Sequence, residues 1–263
     1  AFWRTALGAG ATAPWALSRH RQELFALTRR QLMLSAAAGA LLAAHFATWI
    51  PSLRFTSVAS STALVATQPV WAALMARARG VQFARQVWVG IVIAVVGIVL
   101  LTGLDLSLDP RSLIGDALAL IGAVLAAAYV TVGERVRQTV STANYTLVAY
   151  AASAICLLVL GLALGIDLWG YSLRDWGLIL ALTVLAQLLG HSLISATLRT
   201  TSATVTSMGI LFEMPLATIM AAAFLGQWPP LVVLPALALL LAGTAVVVRS
   251  GGAEVTTLAE SPT

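Results

Sequence analysis

One acidic side chain sits deep inside an apolar stretch of the sequence, where a charge is costly. Glu213 lies near the middle of the run 203–224. In a bilayer, a charged side chain at that depth costs about 3 kcal/mol on insertion scales, so it usually has a partner or a task. Glu213 could therefore bind a proton or a cationic ligand. The alternative is a neutral carboxylic acid that hydrogen-bonds a neighbouring helix.

Prolines mark the same place in two apolar runs. Pro215 follows Glu213 by two positions, and Pro69 directly follows Gln68. Proline removes a backbone donor and frees a carbonyl one turn back, and such breaks in spanning helices face protein or a water-filled cavity. The two runs therefore predict matching helix breaks, with a neutral amide in one copy and a carboxylate in the other.

Two histidines, His45 and His191, stand 146 positions apart in matching apolar runs. Gln187 and Ser195 lie four residues to either side of His191, so the three side chains share one helix face. A buried histidine can donate, accept or take up a proton. His45, His191 and Gln187 are therefore candidates for ligand binding or proton coupling. Alternatively, each histidine bonds a carbonyl across a helix contact.

Four aromatic side chains also lie deep in apolar runs, and Trp49 and Tyr129 are the two candidates for ligand contact among them; the others are Trp15 and Trp71. Trp49 follows His45 by four residues and shares its face, and Tyr129 ends an alanine-rich stretch. Both rings could stack on a planar ligand, although packing in a core is the ordinary role of such side chains.

The amino-acid composition indicates the class of protein to which these candidate residues belong. The chain has 263 residues, of which 60% are hydrophobic and only 10% charged, and its mean hydropathy is +0.93. Soluble domains carry roughly 25% charged residues, so the sequence predicts an all-α polytopic membrane protein. The basic residues fall in short clusters between apolar runs, which argues against a nucleic-acid partner. The single cysteine, Cys156, lies inside an apolar run, so neither a disulfide nor a cysteine-ligated metal is expected. No metal site or cofactor is predicted.

A spanning helix needs about 20 predominantly apolar residues, and nine runs meet this length or come close to it. They are 2–17, 32–51, 57–76, 86–103, 113–132, 145–166, 176–198, 203–224 and 231–248.

An internal repeat orders these runs. Leu53-Arg54-Phe55-Thr56-Ser57 recurs as Leu198-Arg199-Thr200-Thr201-Ser202, 145 residues later, with five apolar runs between the copies. An odd number of crossings places the copies on opposite sides of the bilayer, as in inverted-topology repeats. Four runs precede position 112 and five follow it. The pattern predicts a ten-helix parent whose first helix this chain lacks; the alternative is a true nine-span protein.

Arginine placement predicts the orientation. The face that includes the C-terminus carries eleven arginines, and the opposite face carries three together with all five aspartates. Positive residues accumulate on the cytoplasmic side of a membrane, so the C-terminus is expected inside the cell.

Four stretches of the chain resemble the EamA-type carriers of the drug/metabolite transporter (DMT) superfamily. His45–Ala59 is similar to the first repeat of these carriers. Gly115–Leu120, followed by an alanine-rich run to Tyr129, resembles the opening of the second repeat. Leu189–Leu193 and Ser202–Val205 resemble its later helices.

The resemblance implies ten helices in two inverted five-helix repeats around a central cavity. Here the first repeat would be 1–110, without helix one, the second would be 111–250, and 251–263 would be a disordered cytoplasmic tail. The implied function is a secondary transporter, not an enzyme, for the export or exchange of small metabolites, amino acids among them, or of drug-like compounds. Transport across the bacterial inner membrane by alternating access is expected, with export as the favoured direction. The transporter's partners would be the small-molecule substrate, the lipid bilayer and protons; whether a homodimer forms is left open.

The alternatives belong to two other classes of function: a membrane-embedded enzyme, and a channel or non-transporting membrane protein. A membrane-embedded enzyme would need a catalytic cluster, but the two histidines lie in different halves and one deep carboxylate is present. A channel would need a continuous polar lining, which no run offers. A non-transporting membrane protein is the remaining alternative.

Overall fold

A computed structural model of the protein describes residues 1–102, 109–212, 215–216, 219, 223, 231, 233–250 and 254–255. Nearly all the elements are helices. In chain order they are α1 (Phe2–Arg19), α2 (Arg21–Phe25), α3 (Arg29–Ser52), α4 (Val58–Val65), α5 (Gln68–Ala78), β1 (Gln82–Phe83), α6 (Arg85–Thr102), α7 (Pro110–Arg137), α8 (Thr142–Ala163), α9 (Leu173–Leu182), a π-helical segment (Thr183–His191), α10 (Ser192–Thr197), α11 (Ala203–Ile210), α12 (Val233–Arg249) and β2 (Glu254–Val255).

The chain forms two compact units. Unit 1 comprises Ala1–Thr48 and Ala128–Thr201, and unit 2 comprises Trp49–Ala127 and Ser202–Thr263. Two of the three boundaries fall inside the long helices α3 and α7, and the third falls between α10 and α11. Neither unit coincides with a sequence repeat, because each unit draws helices from both halves of the chain.

Four helical segments of the described chain are long and apolar enough to cross a membrane. They are Arg29–Ser52, Pro110–Arg137, Thr142–Ala163 and the continuous segment Leu173–Thr197; Arg85–Leu100 and Leu234–Arg249 are shorter apolar helices.

The segment Leu173–Thr197 shows most clearly what surrounds the protein. Its Gln187 and Ser195 are fully buried, whereas Leu185 and Leu193 are 63% and 62% exposed. A helix that buries its polar side chains and exposes its leucines would be unstable in water. Burying polar groups costs free energy, and exposed leucines give up the stabilisation that their burial would provide. The arrangement suits a helix whose outer face contacts lipid.

The repeated motif has the same backbone hydrogen bonds in both copies. In the first copy, Phe55 and Thr56 donate to the carbonyl of Ser52 at 2.9 and 3.0 Å. In the second, Thr200 and Thr201 donate to the carbonyl of Thr197 at 3.0 and 2.9 Å. The two turns therefore match at an offset of 145 residues.

The helices that follow these turns also match. The Ser57 side chain caps α4 by accepting from the Ser60 amide, and the Ser202 side chain caps α11 by accepting from the Val205 amide. A serine in this position satisfies a helix amide that has no partner within the helix. Both α4 and α11 are eight residues long.

The run 57–76, predicted as one span, consists of two helices. α4 ends before Ala66, and α5 begins at Gln68 with Pro69 in its first turn. Proline has no amide hydrogen, and the residue before a proline is disfavoured in the helical conformation. The Thr67 hydroxyl donates to the Leu64 carbonyl at 2.6 Å and so satisfies a carbonyl at the break.

In unit 1, α1 packs antiparallel to α8. Near the start of α1, Trp3 Nε1 donates to the carbonyl of Leu168, beyond the end of α8, at 2.7 Å. At the opposite ends, Asn144 Nδ2 donates to the carbonyl of His20 at 3.2 Å. A shift of 146 positions carries most of α1 onto α8, so these two helices are repeat equivalents.

In unit 2, α6 packs against α12 through small residues. A Cβ on Gly90 would lie 2.8 Å from the carbonyl oxygen of Gly243, and a Cβ on Gly97 would lie 2.8 Å from the carbonyl oxygen of Ala236. Positions rise along α6 as they fall along α12, so the helices are antiparallel. Gly97 and Gly243 are 146 positions apart, as are Gly90 and Ala236. The contact is therefore reciprocal, like an isologous interface.

Close approach of this kind is typical of membrane helices, which associate through small residues. Around the glycines, buried Val87, Ile91 and Ile98 of α6 pack in one apolar cluster with Leu240 and Val247 of α12.

β1 and β2 form a two-residue antiparallel pair, with Gln82 opposite Val255 and Phe83 opposite Glu254. The remainder of the predicted tail 251–263 lies outside the described residues.

Candidate functional site

A π-helical segment positions the polar side chains of unit 1. It covers Thr183–His191, between α9 and α10. The π-helix is rare and often marks a functional site, because its wider turn changes which side chains share a face. The buried Tyr150 on α8 donates its hydroxyl to the carbonyl of Gln187 at 3.2 Å and lies 3.1 Å from Ser192 Oγ. The segment is thus held from the neighbouring helix.

Arg4 on α1 joins two side chains of the π-helical segment. Its Nε donates to Gln187 Oε1 at 2.9 Å, and its Nη2 lies 3.3 Å from His191 Nε2. The guanidinium carbon lies 4.2 Å from the ring centroid of Phe46, in a cation–π contact. We call Arg4, Gln187 and His191 the Arg4 cluster.

Aromatic rings flank the histidine of this cluster. The His191 ring packs edge-on against Phe46, with centroids 5.8 Å apart, and against Tyr129, with centroids 5.9 Å apart. The Tyr129 hydroxyl lies 3.4 Å from Ser195 Oγ. His45, which is buried, packs its ring against Phe46 with the ring centroids 5.1 Å apart.

Gly8 allows α1 to approach the segment. A Cβ at this position would lie 2.9 Å from Gln187 Cγ and 3.4 Å from Tyr150 Cδ2. A larger residue would push Gln187 away from Arg4, which lies one helical turn earlier on the same face.

The side chain of Arg137 on α7 hydrogen-bonds the end of α10, the helix that follows the π-helical segment. This buried side chain donates from Nε to the Ser195 carbonyl at 2.7 Å, from Nη1 to the Val140 carbonyl, and from Nη2 to Thr142 Oγ1 at 2.6 Å. The amide of Arg199 bonds the Ala196 carbonyl and leaves the Ser195 carbonyl to Arg137. We assign Arg137 a structural role.

The predicted site residues fall into both units. Unit 1 brings together His191, Gln187 and Tyr129 and places His45 beside them.

Unit 2 holds Gln68, Pro69, Trp49 and Pro215. The buried Gln68 donates from Nε2 to Ser207 Oγ at 3.1 Å and thereby ties α5 to α11. Trp49 is half-buried on α3, and Pro215 is buried. Glu213 lies outside the described residues.

Sequence reasoning did not select Arg4 as a site residue. The signal was present: an arginine inside an apolar run is costly in a membrane and usually points to a function. Because Arg4 lies near the end of the first apolar run, it was grouped with the arginines outside the runs and not with the residues inside them.

Comparison with known proteins identifies the fold family. The model of the EamA-like transporter family matches residues 1–103 and 113–249. A solved structure described only as "Crystal structure of protein" matches with a TM-score of 0.75 and 17% identity, over 94% of this chain and 87% of that one. No protein with a curated description matches the chain. The family match spans both sequence halves and nearly all of the described helices, and the chain therefore belongs to the EamA-like transporter family of the DMT superfamily, as a multi-pass membrane protein that transports small solutes.

Proposed function

We propose that the protein is a secondary carrier that moves small metabolites, amino acids among them, by alternating access. Its working parts would be two inverted repeats, 1–110 and 111–250. The observation that carries the proposal is that repeat-equivalent helices pack antiparallel: α1 with α8, and α6 with α12. Helices related by duplication run in opposite directions when one copy is inverted in the membrane.

The breaks in the spans support movement during transport. α4 ends at Val65 and α11 ends at Ile210, 145 positions apart, and a proline follows each break. Chain segments that lack a continuous helix are natural bending points. Each repeat would therefore supply one hinge.

We further propose that the carrier lies in the bacterial inner membrane, exports its substrate and has its C-terminus in the cytoplasm. The excess of eleven arginines over three supports this orientation. Protease added to inside-out vesicles should then remove the tail 251–263, whereas protease added to right-side-out vesicles should not.

A counterflow assay tests the transport activity itself. Purified protein in liposomes preloaded with an unlabelled amino acid should accumulate the labelled form of that amino acid, because a carrier exchanges one molecule for another across the membrane. The panel would include aromatic, aliphatic and hydroxylated amino acids, with protein-free liposomes as the control. Leakage that needs no preloaded substrate would indicate a channel instead.

Glu213 is proposed as the proton-coupling residue, since it is the deepest acidic side chain in the apolar runs. We expect Glu213→Gln to keep counterflow but to remove the stimulation of uptake by an imposed pH gradient between pH 5 and 8. Gln68→Glu, at the corresponding position of the first repeat, is the matched charge variant. A Glu213→Gln protein that responds to the gradient like the wild type would make Glu213 structural.

A further inference from the structure

A cavity of about 340 Å³ lies at one end of unit 1, between the start of α3 and the end of α7. Pockets for small ligands have volumes of about 300–1,000 Å³, so the space suits a ligand group and not a single water. We call it the arginine cavity. The seven residues that line it are Thr28, Arg30, Gln31, Leu34, Arg135, Val136 and Thr139.

Gln31 ties the two walls of the arginine cavity together. Its Oε1 accepts from the amide and the hydroxyl of Thr28, each at 2.9 Å, and its Nε2 donates to Thr139 Oγ1 at 3.1 Å. The Thr28 hydroxyl in turn accepts from the Gln31 amide at 3.2 Å, which completes a capping arrangement of the helix start. The beginning of α3 is therefore fixed to a residue 108 positions away, just beyond α7.

The two arginines of the cavity carry positive charges that no acid in the described chain neutralises. Arg30 and Arg135 are both exposed, and neither makes a hydrogen bond or an ion pair with the described residues. Glu134, which precedes Arg135 on α7, does not line the cavity. A charge bias between the two faces accounts for arginines at this end of the helices, but it does not require two of them, from different helices, to line one cavity.

Apolar side chains continue from the arginine cavity along α3. Leu34 lines the cavity, and Leu32 and Met33, directly before it, are 48% and 59% exposed. Arg29–Ser52 is one of the four segments that are long and apolar enough to cross a membrane. Exposed leucine and methionine at the end of such a helix suit the boundary between the headgroups and the acyl chains of a bilayer. A ligand here would thus meet positive charge and apolar surface side by side.

A phospholipid with net negative charge combines the two features that this place offers. Guanidinium groups bind phosphate oxygens through paired, charge-assisted hydrogen bonds, and basic pockets between membrane helices suit lipid headgroups. A soluble phosphate ester would use the arginines and leave the apolar surface unused. A zwitterionic lipid would add an ammonium group, for which the seven lining residues offer no carboxylate.

We propose that the arginine cavity binds the phosphate of an anionic phospholipid, with Arg30 and Arg135 donating to its oxygens and an acyl chain lying along Leu32 and Met33. The site would join the start of one spanning helix to the end of another through a single lipid headgroup. It depends neither on the proposed carrier function nor on the direction in which the chain is inserted.

Native mass spectrometry of the delipidated full chain in detergent tests the proposal. The probes are phosphatidylglycerol and phosphatidylcholine with the same acyl chains, and we expect one phosphatidylglycerol to bind at least tenfold more tightly than phosphatidylcholine. Glycerol 3-phosphate, which lacks the acyl chains, should not displace it at an equal concentration. Equal binding of the two lipids would overturn the proposal. Displacement by glycerol 3-phosphate would make the occupant a soluble phosphate ester and overturn the lipid assignment.

A double variant, Arg30→Gln with Arg135→Gln, removes both charges from the cavity and should weaken phosphatidylglycerol binding at least tenfold. The matched control is Arg19→Gln with Arg29→Gln, which removes two exposed arginines of the same unit that do not line the cavity. This control should bind phosphatidylglycerol like the wild type. An equal loss in both double variants would show that overall charge alone attracts the lipid, and wild-type binding by the cavity variant would show that the lipid binds elsewhere; either result would overturn the site.

Thermal unfolding separates lipid binding from folding. In detergent without phospholipid, both double variants should unfold close to the wild-type midpoint, since all four side chains are exposed. Added phosphatidylglycerol should raise the midpoint of the wild type and of the control, because a ligand that binds the folded state stabilises it. A rise of the same size in the cavity variant would contradict the proposal.

Discussion

Replacing Gly243 by alanine is expected to lower the midpoint of thermal unfolding by about 5–10 °C. A Cβ at this position would lie 2.5 Å from the carbonyl oxygen of Gly90 and 2.5 Å from the amide nitrogen of Ala94. Both atoms belong to the backbone of α6, so no side-chain rotation can relieve the overlap. The two helices would have to separate, and the apolar contacts along α6 and α12 would weaken together.

The measurement is a thermal unfolding curve of the purified protein in detergent. Gly177→Ala is the matched control, since Gly177 lies in helix α9, is exposed, and would have no heavy atom within 4 Å of an added Cβ. Alanine is favoured over glycine in a helix by about 1 kcal/mol, so this variant should be unchanged or slightly more stable. A Gly243→Ala protein as stable as the wild type would show that α6 and α12 are not in direct backbone contact.

Arg137→Met is expected to cost about 3 kcal/mol of stability, close to 10 °C in the unfolding midpoint. Methionine fills the space but donates nothing, so the carbonyls of Ser195 and Val140 would be left buried without their Arg137 donor. Each unsatisfied buried group costs about 1–3 kcal/mol. The loosened end of α10 would also release Ser195, which contacts Tyr129.

Arg135→Met is the control for this variant. Arg135 lies two residues earlier on α7 and is exposed, so its loss should change the midpoint by about 2 °C or less. Arg137→Lys should be intermediate, because one ammonium group cannot reproduce the spread of three donors. If Arg137→Met and Arg135→Met unfold together, the buried hydrogen bonds of Arg137 contribute little.

Spacing in the sequence was enough to predict the polar face of the segment around Gln187. Positions 187, 191 and 195 recur every four residues among leucines, and the structure buries Gln187 and Ser195 while exposing the leucines. The π-helical turn was beyond prediction, since no proline lies in the segment and a glycine such as Gly190 is common in membrane helices.

The partner of this polar face could not be predicted either. Arg4 and Gln187 are 183 positions apart, and local periodicity carries no information about a contact at that separation.

The break between α4 and α5 could be predicted in part from the sequence. Pro69 was recognised as a breaking residue, but the apolar run around it continues without a polar gap, so its length predicted a single span.

The reciprocal contact of α6 with α12 has a consequence for how the chain enters the membrane. When a helix packs against its own repeat equivalent, the pair looks nearly the same when it is turned upside down. The packing energy of α6 with α12 therefore does not favour one insertion direction over the other. That choice must be made by the parts that the repeats do not share. In the topology proposed above, those parts are the connections, which would carry eleven arginines on one face and three on the other. In that topology the charged loops, and not the packing of the helices, would determine the direction in which the chain inserts into the membrane.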